Sequence, residues 1–191
     1  MSPRAGLNQD VIVHKALKLA EMEGIDALTI ASLARELNIK PPSLYNHFTG
    51  LIAIKKAVAI AAMEEMYHYI IQKIEWKSEG KEMIVALAKA YVEFAEQHRG
   101  LYEATLHAPD SADSEVQLAG EPMINLTTRA FSVFHLEQEA LIHTVRAFRS
   151  FLHGLVDLNH RNEFNIPIQV QDTQQWMIDI FIKGLEHRSS S

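Results

Sequence analysis

The sequence predicts an all-α chain of about nine helices. Residues 1–50 read as a three-helix helix-turn-helix unit and residues 51–188 as a helical bundle. Three observations carry this. Apolar residues recur at three- and four-residue spacing through nearly the whole chain, never in the strict alternation of a strand. Loop-forming residues cluster at few places, chiefly "HAPDSADSEV" at 107–116 and "NHRNEFNIP" at 159–167. Pro41 and Pro42 stand between two helical patterns. Inside a helix each would cost about 3 kcal/mol, whereas at a helix start the missing N–H is no loss.

The elements follow in order. Ile12, Ala16, Leu19 and Ala20 form the stripe of a first helix, with Asn8 placed to cap it and Gly24 to stop it. Thr29 stands at the N-cap of a second, whose stripe is Ile30, Leu33, Ala34 and Leu37. Asn38 tolerates the left-handed conformation of a tight turn. Pro41 and Pro42 then open the third helix, whose Leu44, with Ile39, points back to Leu33 and Leu37. A long pattern runs from Leu51 to about Lys77, and another from Lys81 to His98, ending at Arg99-Gly100. Three more follow, at roughly 117–134, 137–158 and 170–187.

Composition narrows the function classes. The 191-residue chain contains no cysteine, which excludes disulfides, thiolate metal sites and cysteine nucleophiles. No apolar run approaches the roughly 18 residues of a membrane span, and "MSPRAGLNQD" lacks the apolar stretch of a signal peptide. A cytoplasmic protein without membrane contact is expected. The net charge is −6, but residues 1–56 carry seven Lys/Arg against five Asp/Glu, and the remainder 11 against 19. That asymmetry points to a nucleic-acid contact at the N-terminal end. No phosphate-binding loop, nucleophile elbow or zinc-protease motif occurs. His153 and Asp157 share a helical face, but no third ligand stands at a motif-like position. No enzyme activity, metal or cofactor is expected.

Helix, short turn, helix is the geometry that sets a second helix in the major groove of DNA. Ser43, Tyr45, Asn46 and His47 are the polar and aromatic residues of that helix, suited to phosphates and base edges. The prolines stiffen its first turn.

The wider stretch "ALTIASLARELNIKPPSLYNHF" resembles the DNA-binding domain of the TetR/AcrR family of bacterial transcriptional regulators. The elements that carry the resemblance are Gly24, Thr29, Ala34, Leu44, Tyr45, His47 and Phe48, within about residues 8–60. It implies DNA contacts from Thr29, Tyr45 and His47, and approach to the groove by Lys40, Pro41, Pro42 and Ser43. One departure is Leu51, where the family often has a phosphate-binding lysine; Lys55 or Lys56, one turn on, are the candidates to replace it. "VRAFRSFLHGLVDL" also resembles the penultimate helix of a subgroup with a His-Gly pair, here His153 and Gly154.

The implied function is a ligand-responsive regulator, a repressor, that binds a palindromic double-stranded operator as a homodimer and is released by a small-molecule effector. The alternative is a helical adaptor that binds protein and has no DNA affinity. For the effector, large apolar residues of the middle helices are the candidates: Tyr91, Phe94, Tyr102, Met123, Phe131 and Phe148, with Trp76, Phe134 and Phe151 in the same class. For the dimer, the last two helices carry more apolar surface than one core-facing stripe requires. Phe151, Gly154, Leu155, Met177, Phe181 and Leu185 are the expected contacts, flanked by Trp176 and Ile180.

Overall fold

The computed structural model describes residues 6–74 and 80–189; Trp76 and the end of the pattern that reaches Lys77 lie outside them. Among the described residues there is no strand. Eight α-helices and three 3-10 helices succeed one another, and the eight with the 3-10 helix opened by the prolines make the expected nine. None of the described helices is long and apolar enough to cross a membrane. The chain forms two compact units, one of residues 6–66 with His98–Gly120, the other of the described residues of Tyr67–Gln97 and Glu121–Ser191.

In the first unit, α1 (Gln9–Glu23) begins where the Asn8 side chain accepts the Val11 amide at 2.8 Å, and ends at Gly24, φ 85°. Its buried face is Ile12, Ala16, Leu19 and Ala20, the stripe that the periodicity gives. A 3-10 turn, Ile25–Ala27, leads to α2 (Ile30–Leu37). Thr29 caps α2 reciprocally: Ser32 N donates to Thr29 Oγ1 at 3.0 Å, and Thr29 N to Ser32 Oγ at 2.9 Å. Asn38 is left-handed, φ 53°, and the Asn38 and Ile39 amides donate back to carbonyls at Ala34 and Arg35.

Pro41–Asn46 is a helix, as the prolines imply, but a 3-10 helix. The Ser43 amide reaches the Lys40 carbonyl at 2.9 Å, the i→i+3 bond of the tighter helix. Next come α3 (Leu51–Lys73), which supplies residues 51–66 to the first unit and 67–73 to the second, and α4 (Lys81–Gln97) in the second unit.

The pattern from Lys81 ends at Gln97, as expected, but Arg99-Gly100 also opens a further helix that the sequence reading did not give, α5 (Arg99–Leu106), whose buried Gly100 packs on α1. A Cβ there would lie 2.2 Å from the Ala20 carbonyl oxygen, so glycine marks a close approach of two backbones. Glu21 completes the junction. Its carboxylate accepts the Leu101 amide at 2.9 Å, one of the orphan donors at the start of α5, and faces His98 Nδ1 at 3.1 Å. Beyond it, α6 (Ser114–Phe131) starts earlier than periodicity suggests because Asp113 accepts the Glu115 amide at 2.9 Å.

The second unit is built on α4, α7 (Gln138–His160) and α8 (Val170–Ser189). Phe131, Phe148 and Phe181 pack ring against ring, with Phe131 and Phe148 edge-to-face at 5.1 Å. The buried Gln174 of α8 donates to the Ala88 carbonyl of α4 at 2.8 Å, so its polar end is satisfied.

Candidate nucleic-acid interface

The candidate interface is one short element held from behind. Leu44 is the only fully buried residue of the Pro41–Asn46 helix and joins Leu33, Ala34, Ile54 and Val58 in the core of the first unit. With Leu44 pointing inward, helical geometry turns its neighbours outward. Lys40, Pro41, Pro42, Tyr45 and Asn46 are exposed, and Ser43 and His47 half-buried. Tyr45 is 58% exposed, far more than a ring held by its own fold requires. Thr29 is also exposed, with its hydroxyl engaged in the α2 cap. All eight N-terminal candidates therefore sit within or at the caps of two adjoining helices.

The structure separates the two lysines of α3. Lys56 bonds Glu115 at 2.6 Å and Asp113 at 3.0 Å. The Glu115 and Asp113 hydrogen bonds hold its ammonium pKa above the ordinary value, and Lys56 holds the Asp113 carboxyl below its own. Lys55 is half-buried and makes no ion pair among the described residues. Leu51 packs against the core of the unit, which accounts for an apolar residue where a cation might stand. The Gln9 side chain donates to the His47 carbonyl at 2.7 Å; sequence reading gives no sign of it, because the two residues lie 38 positions apart.

The remaining candidates divide by burial. Tyr91, Phe94, Phe131 and Phe148 are buried and Met123 half-buried in the second unit, whereas Tyr102 is buried in the first. A cleft of about 860 Å³ in the second unit is lined by Val133, Phe134, Leu136, Ala140 and Leu185 among others, and by none of those six. Of the dimer candidates, Leu155 and Leu185 are buried within the protomer. Phe151, Gly154, Met177 and Phe181 are half-buried, and a Cβ on Gly154 would meet nothing within 4 Å. Trp176, 70% exposed, and Ile180, 57% exposed, stand one turn apart on α8. Asp157 is paired with Arg161 at 3.0 Å.

Comparison with known proteins follows the same division. The family profile described as "Bacterial regulatory proteins, tetR family" matches residues 12–50, and "Tetracyclin repressor-like, C-terminal domain" matches residues 84–181. The chain is 31% identical over 186 residues to the uncharacterized HTH-type transcriptional regulator YobS of Bacillus subtilis (strain 168), covering 97% of this chain and 96% of that protein. Among solved structures, a protein of unknown function from Rhodococcus sp. RHA1 superposes with TM-score 0.79 at 24% identity, over 96% of this chain and 98% of that one. BioQ, solved with its double-stranded DNA operator, superposes with TM-score 0.65 at 21% identity, over 94% and 98%. These two structural likenesses show the shared fold.

Proposed function

Because the chain belongs to the TetR family of bacterial regulatory proteins, and is a DNA-binding transcriptional regulator of that family, we propose that it acts as a repressor. It binds a palindromic operator as a homodimer and leaves it when a small effector binds. Residues 1–50 form the DNA-binding part and residues 51–188 the effector and dimer part, and the protein works in the cytoplasm. The observation that carries the DNA contact is the exposed row Lys40, Pro41, Pro42, Tyr45 and Asn46 around the buried Leu44. Nothing in the packing of the first unit requires those side chains, and their position in a helix-turn-helix is the one that meets the groove. Thr29, Ser43 and His47 complete the contact.

Lys55, which makes no ion pair among the described residues, takes the phosphate contact in place of a lysine at position 51; Lys56 is neutralised by two carboxylates. The dimer face is carried by Trp176 and Ile180, with Phe151, Gly154, Met177 and Phe181 behind them, and a second copy buries both exposed residues. The effector is small and largely apolar and binds within the second unit.

Selection from a pool of random duplexes with the purified protein, followed by titration of the enriched site at rising salt, tests the reading. A protein making six to ten phosphate contacts loses about 10³–10⁵ in affinity between 50 and 200 mM salt. Tyr45→Ala and Lys40→Ala should weaken binding with helical content unchanged. Variants that bind as wild type would refute the assignment, and an adaptor would enrich no sequence at all.

A further inference from the structure

The 3-10 helix that carries Tyr45 and Asn46 has little internal support. It is six residues long, and its last carbonyls are not continued by a helix. Three fastenings hold it. The buried Leu44, with Ile39 and Phe48 packed on the same core at either end, sets its depth, and the His47 and Phe48 amides, each 3.0 Å from the Leu44 carbonyl, close its last turn. The third is the bond from Gln9 Nε2 to the His47 carbonyl at 2.7 Å, which ties the exit of the helix to the first residue of α1. Gln9 is exposed and takes no part in the apolar core of the unit, so packing does not account for its placement.

We propose that Gln9 is a positioning residue for sequence recognition: by holding the His47 carbonyl against α1, it fixes the angle at which Tyr45, Asn46 and His47 meet the bases. The inference rests on the reading of residues 40–47 as the DNA contact. Apolar contacts at Ile39, Leu44 and Phe48 set the depth of the short helix but are non-directional, so they leave its small rotations less restrained than a directed hydrogen bond does. A tether at its C-terminal end restrains these rotations before DNA arrives, so less ordering is left for the binding step. Its effect falls on base contacts, which need fixed geometry. Phosphate contacts, which tolerate displacement, are little affected.

The test compares wild type, Gln9→Met and Gln9→Lys on two duplexes of equal length, one selected by the wild-type protein from a random pool and one unselected. Methionine keeps the length of the side chain but cannot donate; lysine restores an N–H donor. Gln9→Met should lose about three- to tenfold in affinity for the selected duplex, the range for one neutral hydrogen bond. It should keep wild-type affinity for the unselected duplex, an unchanged salt slope and unchanged helical content. Gln9→Lys should recover the ratio of selected to unselected affinity. Equal loss on both duplexes, leaving their ratio unchanged in Gln9→Met, would make Gln9 a sequence-independent contact to the DNA backbone and overturn the proposal. A wild-type protein that enriches no sequence would overturn the DNA reading itself, and this inference with it.

Discussion

Replacing Gly100 with alanine probes how the first unit is packed. The added Cβ would stand 2.2 Å from the Ala20 oxygen, 2.5 Å from Glu21 Cα and 2.8 Å from the Glu21 carbonyl oxygen. All three are backbone atoms of α1, so α5 has to move away. Overpacking of this kind costs about 1–3 kcal/mol. The shift also strains the Glu21 bonds to Leu101 N and His98, and for a partly exposed carboxylate their loss adds about 1–2 kcal/mol. Alanine recovers about 1 kcal/mol of helix propensity relative to glycine. The net expectation is a loss of about 1–4 kcal/mol, or a fall in melting temperature of about 3–15 °C for a chain of this size. Thermal unfolding followed by circular dichroism reads it directly. Gly120→Ala is the control. Gly120 also lies in a helix, but its added Cβ meets nothing within 4 Å, so the variant should be as stable as wild type or up to about 1 kcal/mol more stable. If Gly100→Ala matched Gly120→Ala, the close approach of α5 to α1 would be wrong.

Lys55→Ala should lower operator affinity and reduce the slope of log affinity against log salt by about one, while Lys56→Ala leaves the slope unchanged; equal slopes for both variants would remove Lys55 from the contact. The Lys56–Asp113 pair also sets a pH dependence. Asp113 is held below its ordinary value near 3.8, so its contribution is present above that pH and is lost as pH falls through the lower folded value. Lys56 is raised above 10.5, so its contribution is present below that pH and lost as pH rises beyond it. Lys56→Met should therefore flatten the part of the stability profile below about pH 4, and a profile parallel to wild type there would contradict the pairing. Trp176→Glu combined with Ile180→Glu should halve the mass seen by sedimentation without unfolding the protomer, because both side chains are exposed; an unchanged mass would place the dimer face elsewhere. Pro42→Ala should change stability by no more than about 1 kcal/mol in either direction, and a larger loss on denaturation would mean that the proline does more than open its helix.

Much of the first unit is legible in the chain because its signals are local. A cap acts across three residues, as at Thr29 and Ser32. A left-handed stop needs one tolerant residue, Asn38, and the buried stripe of α1 repeats within a turn. Fold class, family and the position of Tyr45 and His47 follow from such patterns. Other features depend on groups brought together from distant parts of the chain. Arg99-Gly100 has the composition of a helix stop, and only the proximity of Ala20 and Glu21 makes it the start of α5. Lys55 and Lys56 are equivalent in sequence until Asp113 and Glu115, more than fifty residues on, neutralise one of them. Leu155 and Leu185 share the apolar character of Trp176 and Ile180, yet packing turns the first two inward and leaves the others at the surface. By itself the sequence determined the helical class, the caps at Asn8 and Thr29 and the buried stripe of α1, since hydrogen bonds and periodicity within a turn decide those. The tertiary structure decided which of the two lysines is paired with carboxylates, which apolar residues are exposed and how the Pro41–Asn46 helix is tethered to α1, since each depends on a through-space distance that no local pattern encodes.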